Sequence, residues 1–194
     1  GVREALGRRL DRLSEDANAL LSLAAVLGRD FEHDQLLAVS ELADADVLRF
    51  VEEALAARVV EEGERPGAYR FTHALMRETL LDELSAARRV RMHARIAQAL
   101  EAIYGEQADA HASELAYHYG EAEALLGTDR LVHYSLVAGQ QALATLAWES
   151  AEEHCSRGLA AHGADREDTV AAHLLLARAR ARLARGADTR RVAE

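Results

Sequence analysis

At 194 residues the chain is long enough for one or two domains, and with 49% hydrophobic residues each can bury a core. A net charge of −10 argues against an unassisted DNA-binding surface, which needs a basic stripe to neutralise phosphates. No apolar run is long enough to span a bilayer, the start does not resemble a signal peptide, and Cys155 is the single cysteine, so the expectation is a cytoplasmic protein without an internal disulfide.

Alanine, leucine, arginine and glutamate dominate and proline occurs once, which predicts a mainly α fold. Val2, Leu6, Leu10 and Leu13 share one face of a helix over 2–13, and Ala17, Leu20, Leu21, Ala24 and Leu27 continue at helical spacing until Gly28 ends the run. A short helix follows over 33–39. Asp44 reads as the N-cap of a helix over 45–58 whose Val47, Leu48, Val51 and Leu55 face inward. Val59-Val60-Glu61 reads as a strand, Glu62 to Ala68 as a turn built on Pro66-Gly67, and Tyr69-Arg70-Phe71 as the returning strand. Helices followed by a short two-stranded wing predict a winged-helix domain over 1–84.

The returning strand runs into a helix through Thr72 and His73. With Thr72 as N-cap, its hydroxyl covers one free backbone N–H. The remaining first-turn donors and the positive end of the helix dipole then face an approaching anion, and His73 adds a donor or a titratable charge. The alternative role for His73 is structural, capping the helix and packing beneath the wing. A DNA-reading role fits poorly, because the helix before the wing offers Asp44, Asp46, Glu52 and Glu53 against Arg49 and Arg58, and the wing offers Glu61, Glu62 and Glu64 against Arg65.

Residues 85–126 are expected to form connecting helices. Val90, His93, Ile96, Ala97, Leu100, Ile103 and Tyr104 make one stripe, and the basic run Arg88, Arg89, Arg91 and Arg95 reads as a solvated face, with contact to an acidic domain or a nucleotide phosphate as the alternative. Paired helices are expected at Ala108–Ala124, Asp129–Leu146, Trp148–Ala161 and Arg166–Arg185, punctuated by Gly127, Gly163 and Gly186. Over 127–194 the small residues Ala138-Gly139 and Ala151, with Cys155, Gly158 and Leu159, resemble the packing face of a tetratricopeptide repeat, although Ser135, Cys155 and Gly163 replace its usual tryptophan, aromatic and proline. The array reads as truncated, with an apolar edge that a missing helix or a second molecule would cover.

Three further features complete the reading. The chain has no lysine and no Gly-x-x-x-x-Gly-Lys-[Ser/Thr] segment, so it cannot supply a P-loop and is expected to be non-enzymatic, with no catalytic residue. His111, Glu114 and His118 share a helical face at metal-ligand spacing, but they lie in a packing segment and read as a hydrogen-bonded edge, with no metal expected. Cys155 reads as a buried structural thiol, not a nucleophile.

The segment Phe71 to Leu84 with Ala87-Arg88-Arg89, together with the stretches 1–13 and 20–28, resembles the winged-helix region of STAND signal-transduction ATPases, which include large LuxR-type transcription regulators and cyclase-associated ATPases. In that family a winged-helix histidine in a Met-His-Asp pattern touches the β-phosphate of ADP and holds the inactive state. His73 occupies that position here, flanked by Thr72 and Ala74 in place of the methionine and aspartate. The resemblance implies a regulatory piece of a longer protein, starting just after its nucleotide-binding domain. It implies ADP or ATP in the parent protein, with none held by this region alone. As partners it implies that nucleotide domain, an inducer or protein on the helical repeats, and further copies when ATP releases the closed state. It implies neither direct nucleic-acid binding nor a membrane. A plain interaction scaffold and a DNA-binding regulator are the alternatives.

Overall fold

The structure, a computed structural model, describes residues 7–163 and 168–192, with side chains placed to residue 185. It is mainly helical with one small antiparallel sheet. The chain divides into two compact units, 1–103 and 104–194, so the boundary falls inside the segment read as connecting helices. Val2 and Leu6 of the first expected helix lie outside the described residues, whereas Leu10 and Leu13 are buried.

The first unit is organised around α1, Glu15–Leu27. Ser14 caps it by accepting the Ala17 N–H at 3.2 Å, and Glu15 and Asp16 complement the positive end of the helix. Nearly every side chain from Leu20 to Leu27 is buried, as expected for a central helix packed on several sides. Three helices cover it: α2 (His33–Ser40), α3 (Asp44–Ala56) and α4 (Ala74–Asp82). Between them lie β1 (Asp30–Glu32), β2 (Val60–Glu62) and β3 (Ala68–Phe71).

The sheet corrects the expectation of a two-stranded wing. Its order is β1-β3-β2, all antiparallel, with Phe31 opposite Tyr69 and Val60 opposite Phe71. Phe31 turns inward to meet the rings of Phe71 at 5.5 Å and Tyr69 at 5.9 Å. Asp30 binds Arg70 on the outer face. The β2–β3 turn closes through the Gly63 N–H to the Ala68 carbonyl, and Gly67 adopts φ +79°, a conformation that glycine alone takes without strain.

Two details of α3 also differ from the local pattern. Its N-cap is Ala43, and Asp44 sits one residue inside, where its carboxylate meets His33 Nε2 at 2.7 Å. A tertiary hydrogen bond takes the carboxylate that the local pattern assigns to capping. The buried face comprises Val47, Phe50, Val51 and Ala54, while Leu48 is 43% exposed and Leu55 half-buried. Phe50 and Val47 are three residues apart on one face, and rotating the helix to bury that larger ring turns Leu48 outward. After α4 the long helix α5, Ala86–Tyr104, buries His93, Ala94, Ile96, Ala97 and Leu100, whereas Ile103 of the expected stripe is exposed.

The second unit begins with a 3-10 helix, Gly105–His111, then α6 (Ala112–Glu121), α7 (Glu123–Leu126), α8 (Asp129–Ala144), α9 (Trp148–His162) and α10 (Thr169–Val192). The expected single helix over 108–124 is therefore broken. Its first part buries only Ala108, too little apolar surface to hold a regular α-helical turn against a core. Helix α10 starts where Asp168 caps the Val170 and Ala171 N–H groups, each at 3.0 Å, and it runs through Gly186, which does not end it. An isolated helical glycine costs only about 1 kcal/mol, less than the rest of a long helix recovers.

Helices α8, α9 and α10 pack around Val132, Cys155, Leu174 and Ala177. Gly139 marks a close approach of α8 and α9: a Cβ there would stand 2.6 Å from Cys155 Sγ. Gly158 faces Leu174 and Ser135 with slightly more room, a Cβ there standing 2.9 Å and 3.0 Å from them. Gly139→Ala is predicted to destabilise this unit by up to about 2 kcal/mol, an overpacking cost of about 1–3 kcal/mol partly offset by about 1 kcal/mol of better helix propensity. Urea unfolding followed by the fluorescence of Trp148, the single tryptophan, measures it. A stability gain would mean that α8 and α9 do not approach this closely.

Candidate functional site

The strand-to-helix junction is held from below. The Thr72 N–H donates to the Val59 carbonyl at 3.1 Å, and its Oγ1 lies 3.0 Å from the Arg58 carbonyl and 3.2 Å from that of Val59. Arg58 has φ +56°, a conformation that costs a side-chain-bearing residue roughly 1–2 kcal/mol. Two donors converge on its carbonyl, the Thr72 hydroxyl and Arg9 Nη1 at 3.2 Å, and offset that cost. The Thr72 hydroxyl thus ties the junction to the end of α3 and does not cap α4.

The cap of α4 is His73. Its backbone is extended, at φ −138° and ψ 135°, and its carbonyl accepts the Met76 N–H at 3.0 Å. The imidazole makes no cap hydrogen bond and is exposed, so it neither caps nor packs beneath the sheet. No acidic residue occupies the first turn of α4, in contrast to α1 and α3. One turn further, Arg77 Nε donates to the Ala25 carbonyl at 2.8 Å and locks α4 against the C-terminal turn of α1. The result is a rigidly seated helix start with an accessible imidazole and no competing carboxylate of its own.

The other candidates resolve differently. His111 stacks on Tyr104 at 3.7 Å, Glu114 accepts from Tyr104 Oη at 2.7 Å, and His118 is fully buried with its ring edge to Tyr117. Among the described residues no group of three histidine, cysteine or acidic side chains is arranged to hold a metal. Cys155 is fully buried, and burial raises its pKa, so the thiol stays protonated.

The basic run of α5 has a setting that local reading did not reveal. Arg88, Arg91, Met92 and Arg95 line a cavity of about 540 Å³ whose other walls come from α1, the α2–α3 loop and α3. The signal in the sequence is the spacing 88, 91 and 95, which puts three guanidinium groups on one helical face.

No protein-family model, curated protein or solved structure matches this chain. Among the described residues no helix is long and apolar enough to cross a membrane.

Proposed function

We propose that this chain is a non-catalytic switch region of a STAND signalling ATPase, a winged helix followed by tetratricopeptide-like repeats. The element order α1-β1-α2-α3-β2-β3, with β3 central, supports a winged helix, and the close α8–α9 approach at Gly139 supports the repeat reading. The observation that carries the proposal is the exposed His73 imidazole at the start of α4, where no side chain caps the first-turn N–H groups.

In this reading the β-phosphate of ADP, bound to a nucleotide domain elsewhere in the parent protein, meets the first-turn N–H groups and the imidazole. Partial positive charge at a helix start and a ring donor both favour an anion there. Exchange for ATP releases the winged helix and permits oligomerisation, a two-state switch biased by the nucleotide. The repeats then bind an inducer or partner.

The test uses the parent protein loaded with a fluorescent ADP analogue. His73→Ala is expected to speed its release about tenfold or more, the effect of losing one charge-assisted hydrogen bond. An unchanged release rate overturns the switch. It would favour the second reading, an interaction scaffold, for which the specific observation is the exposed row Leu175, Leu176 and Leu183 on α10. DNA binding is weighed down by the acidic α3, whose Arg49 is already engaged by Asp46 at 2.8 Å.

A further inference from the structure

We infer that the cavity between α1, α3 and α5 binds a small amphiphilic anion, a hydrocarbon body carrying a carboxylate or phosphate head. This site is lined wholly by residues of the first unit, His73 not among them, and goes beyond the switch reading. Its volume of about 540 Å³ is within the range of pockets that enclose small organic molecules.

Two kinds of lining decide the ligand class. Leu20 and Leu23 from α1, Leu42 from the loop, Phe50 from α3 and Met92 from α5 give an apolar wall. Facing them, Arg88, Arg91 and Arg95 stand at i, i+3 and i+7, a spacing at which like charges destabilise a helix. An anion between them relieves that repulsion.

The acids present do not neutralise this wall. Asp46 is held by Arg49, which also lies over the Phe50 ring at 4.5 Å, leaving Asp16 opposite three guanidinium groups. The carboxylate of Glu41 reaches Arg95 only at 3.8 Å and is itself 79% exposed, so water screens the pair. Arg95 Nε is shut off from solvent and has no hydrogen-bond partner. A ligand does not reach that shut-off nitrogen directly, but the guanidinium groups of Arg88, Arg91 and Arg95 along the wall offer a carboxylate or phosphate the fork geometry that arginine favours. An apolar wall beside this fork selects for an anion with a hydrocarbon body over a bare inorganic ion.

Isothermal titration of this chain with octanoate, octyl phosphate, octan-1-ol and inorganic phosphate tests the inference without involving ADP. Octanoate or octyl phosphate is expected to bind at least about tenfold tighter than octan-1-ol and than inorganic phosphate. Arg91→Gln and Arg95→Gln, at partly or fully exposed side chains, should each weaken the anionic amphiphile by about tenfold and leave octan-1-ol unchanged, with far-UV circular dichroism verifying the fold. Leu42→Gln should weaken both amphiphiles. Equal binding of alcohol and anion, no measurable binding of either anionic amphiphile, or indifference to both arginine changes would overturn the site. None of these outcomes alters the expected effect of His73→Ala on ADP release.

Discussion

Phe71→Ala is expected to remove about 3–5 kcal/mol from the stability of the first unit. Phe71 is completely buried, its ring lies 5.5 Å from that of Phe31, and its backbone N–H donates to the Arg29 carbonyl at 3.0 Å. It pairs with Val60 at the inner end of β3, so deleting the ring opens a cavity where the sheet meets the helices. The structure can collapse into that space only partly, which is why the cost exceeds the transfer free energy of the ring. A whole domain is stable by about 5–15 kcal/mol, so this loss is a large fraction. Phe71→Leu keeps most of the volume and should cost clearly less, and Leu48→Ala, on the exposed side of α3, should stay within about 0.5 kcal/mol. Urea unfolding read by amide exchange in α1 and α4 gives all three values. Equal losses for Phe71→Ala and Leu48→Ala would show that the core is not where the structure puts it. The consequence for function is direct, because Thr72 and His73 follow Phe71 and take their positions from it.

The helices of the first unit were legible because their apolar residues repeat over several turns: Ala17, Leu20, Leu21, Ala24 and Leu27 are all buried as their spacing demands. Strand β1 was not, because Asp30–Glu32 contains a single buried residue and its partner lies some forty positions away in β3. Alternation over three residues carries almost no information. The caps were misread for a related reason. Asp44 and Thr72 are good local cap formers, yet His33 draws the Asp44 carboxylate and the Arg58 and Val59 carbonyls draw the Thr72 hydroxyl. Both competitors are set by the tertiary fold, and local preference does not anticipate them.

The candidate site was legible in position and not in detail. Strand, histidine and helix stand in the expected order, but His73 itself is the N-cap, one residue earlier than the first turn. Arg88, Arg91 and Arg95 read as a solvated face, and Arg88 and Arg91 are indeed exposed; what a helix viewed alone does not reveal is that α1 and α3 form the other walls of an open cleft beside them. In the second unit, small residues marked the close approach of α8 and α9 correctly, because a missing Cβ is visible in sequence, whereas a backbone switch to 3-10 geometry at 105–111 is not.

Acidification is expected to weaken the fold through His93. This imidazole is only 3% exposed, and burial, reinforced by the positive charges of Arg89 and Arg77, lowers its pKa from 6.5 to about 4. Above pH 6.5 the ring is neutral whether the chain is folded or not, and the native state has its full stability. As pH falls from 6.5 towards 4, the unfolded chain takes up a proton that the folded chain refuses, so the unfolded state gains stability at each step. Below about 4 both states are protonated and the loss levels off. At about 1.4 kcal/mol per pH unit the full gap amounts to about 3 kcal/mol, of which about a third should appear between pH 6 and 5, where ordinary carboxylates remain ionised. The measurement is the difference in urea-derived stability between the wild type and His93→Gln across that interval: the wild type should lose about 1 kcal/mol more than the variant. An NMR titration of the His93 ring gives an independent reading that does not depend on how the variant folds. A midpoint near 6.5 in the native protein would mean that the ring is hydrated and that α5 is not packed as the structure has it.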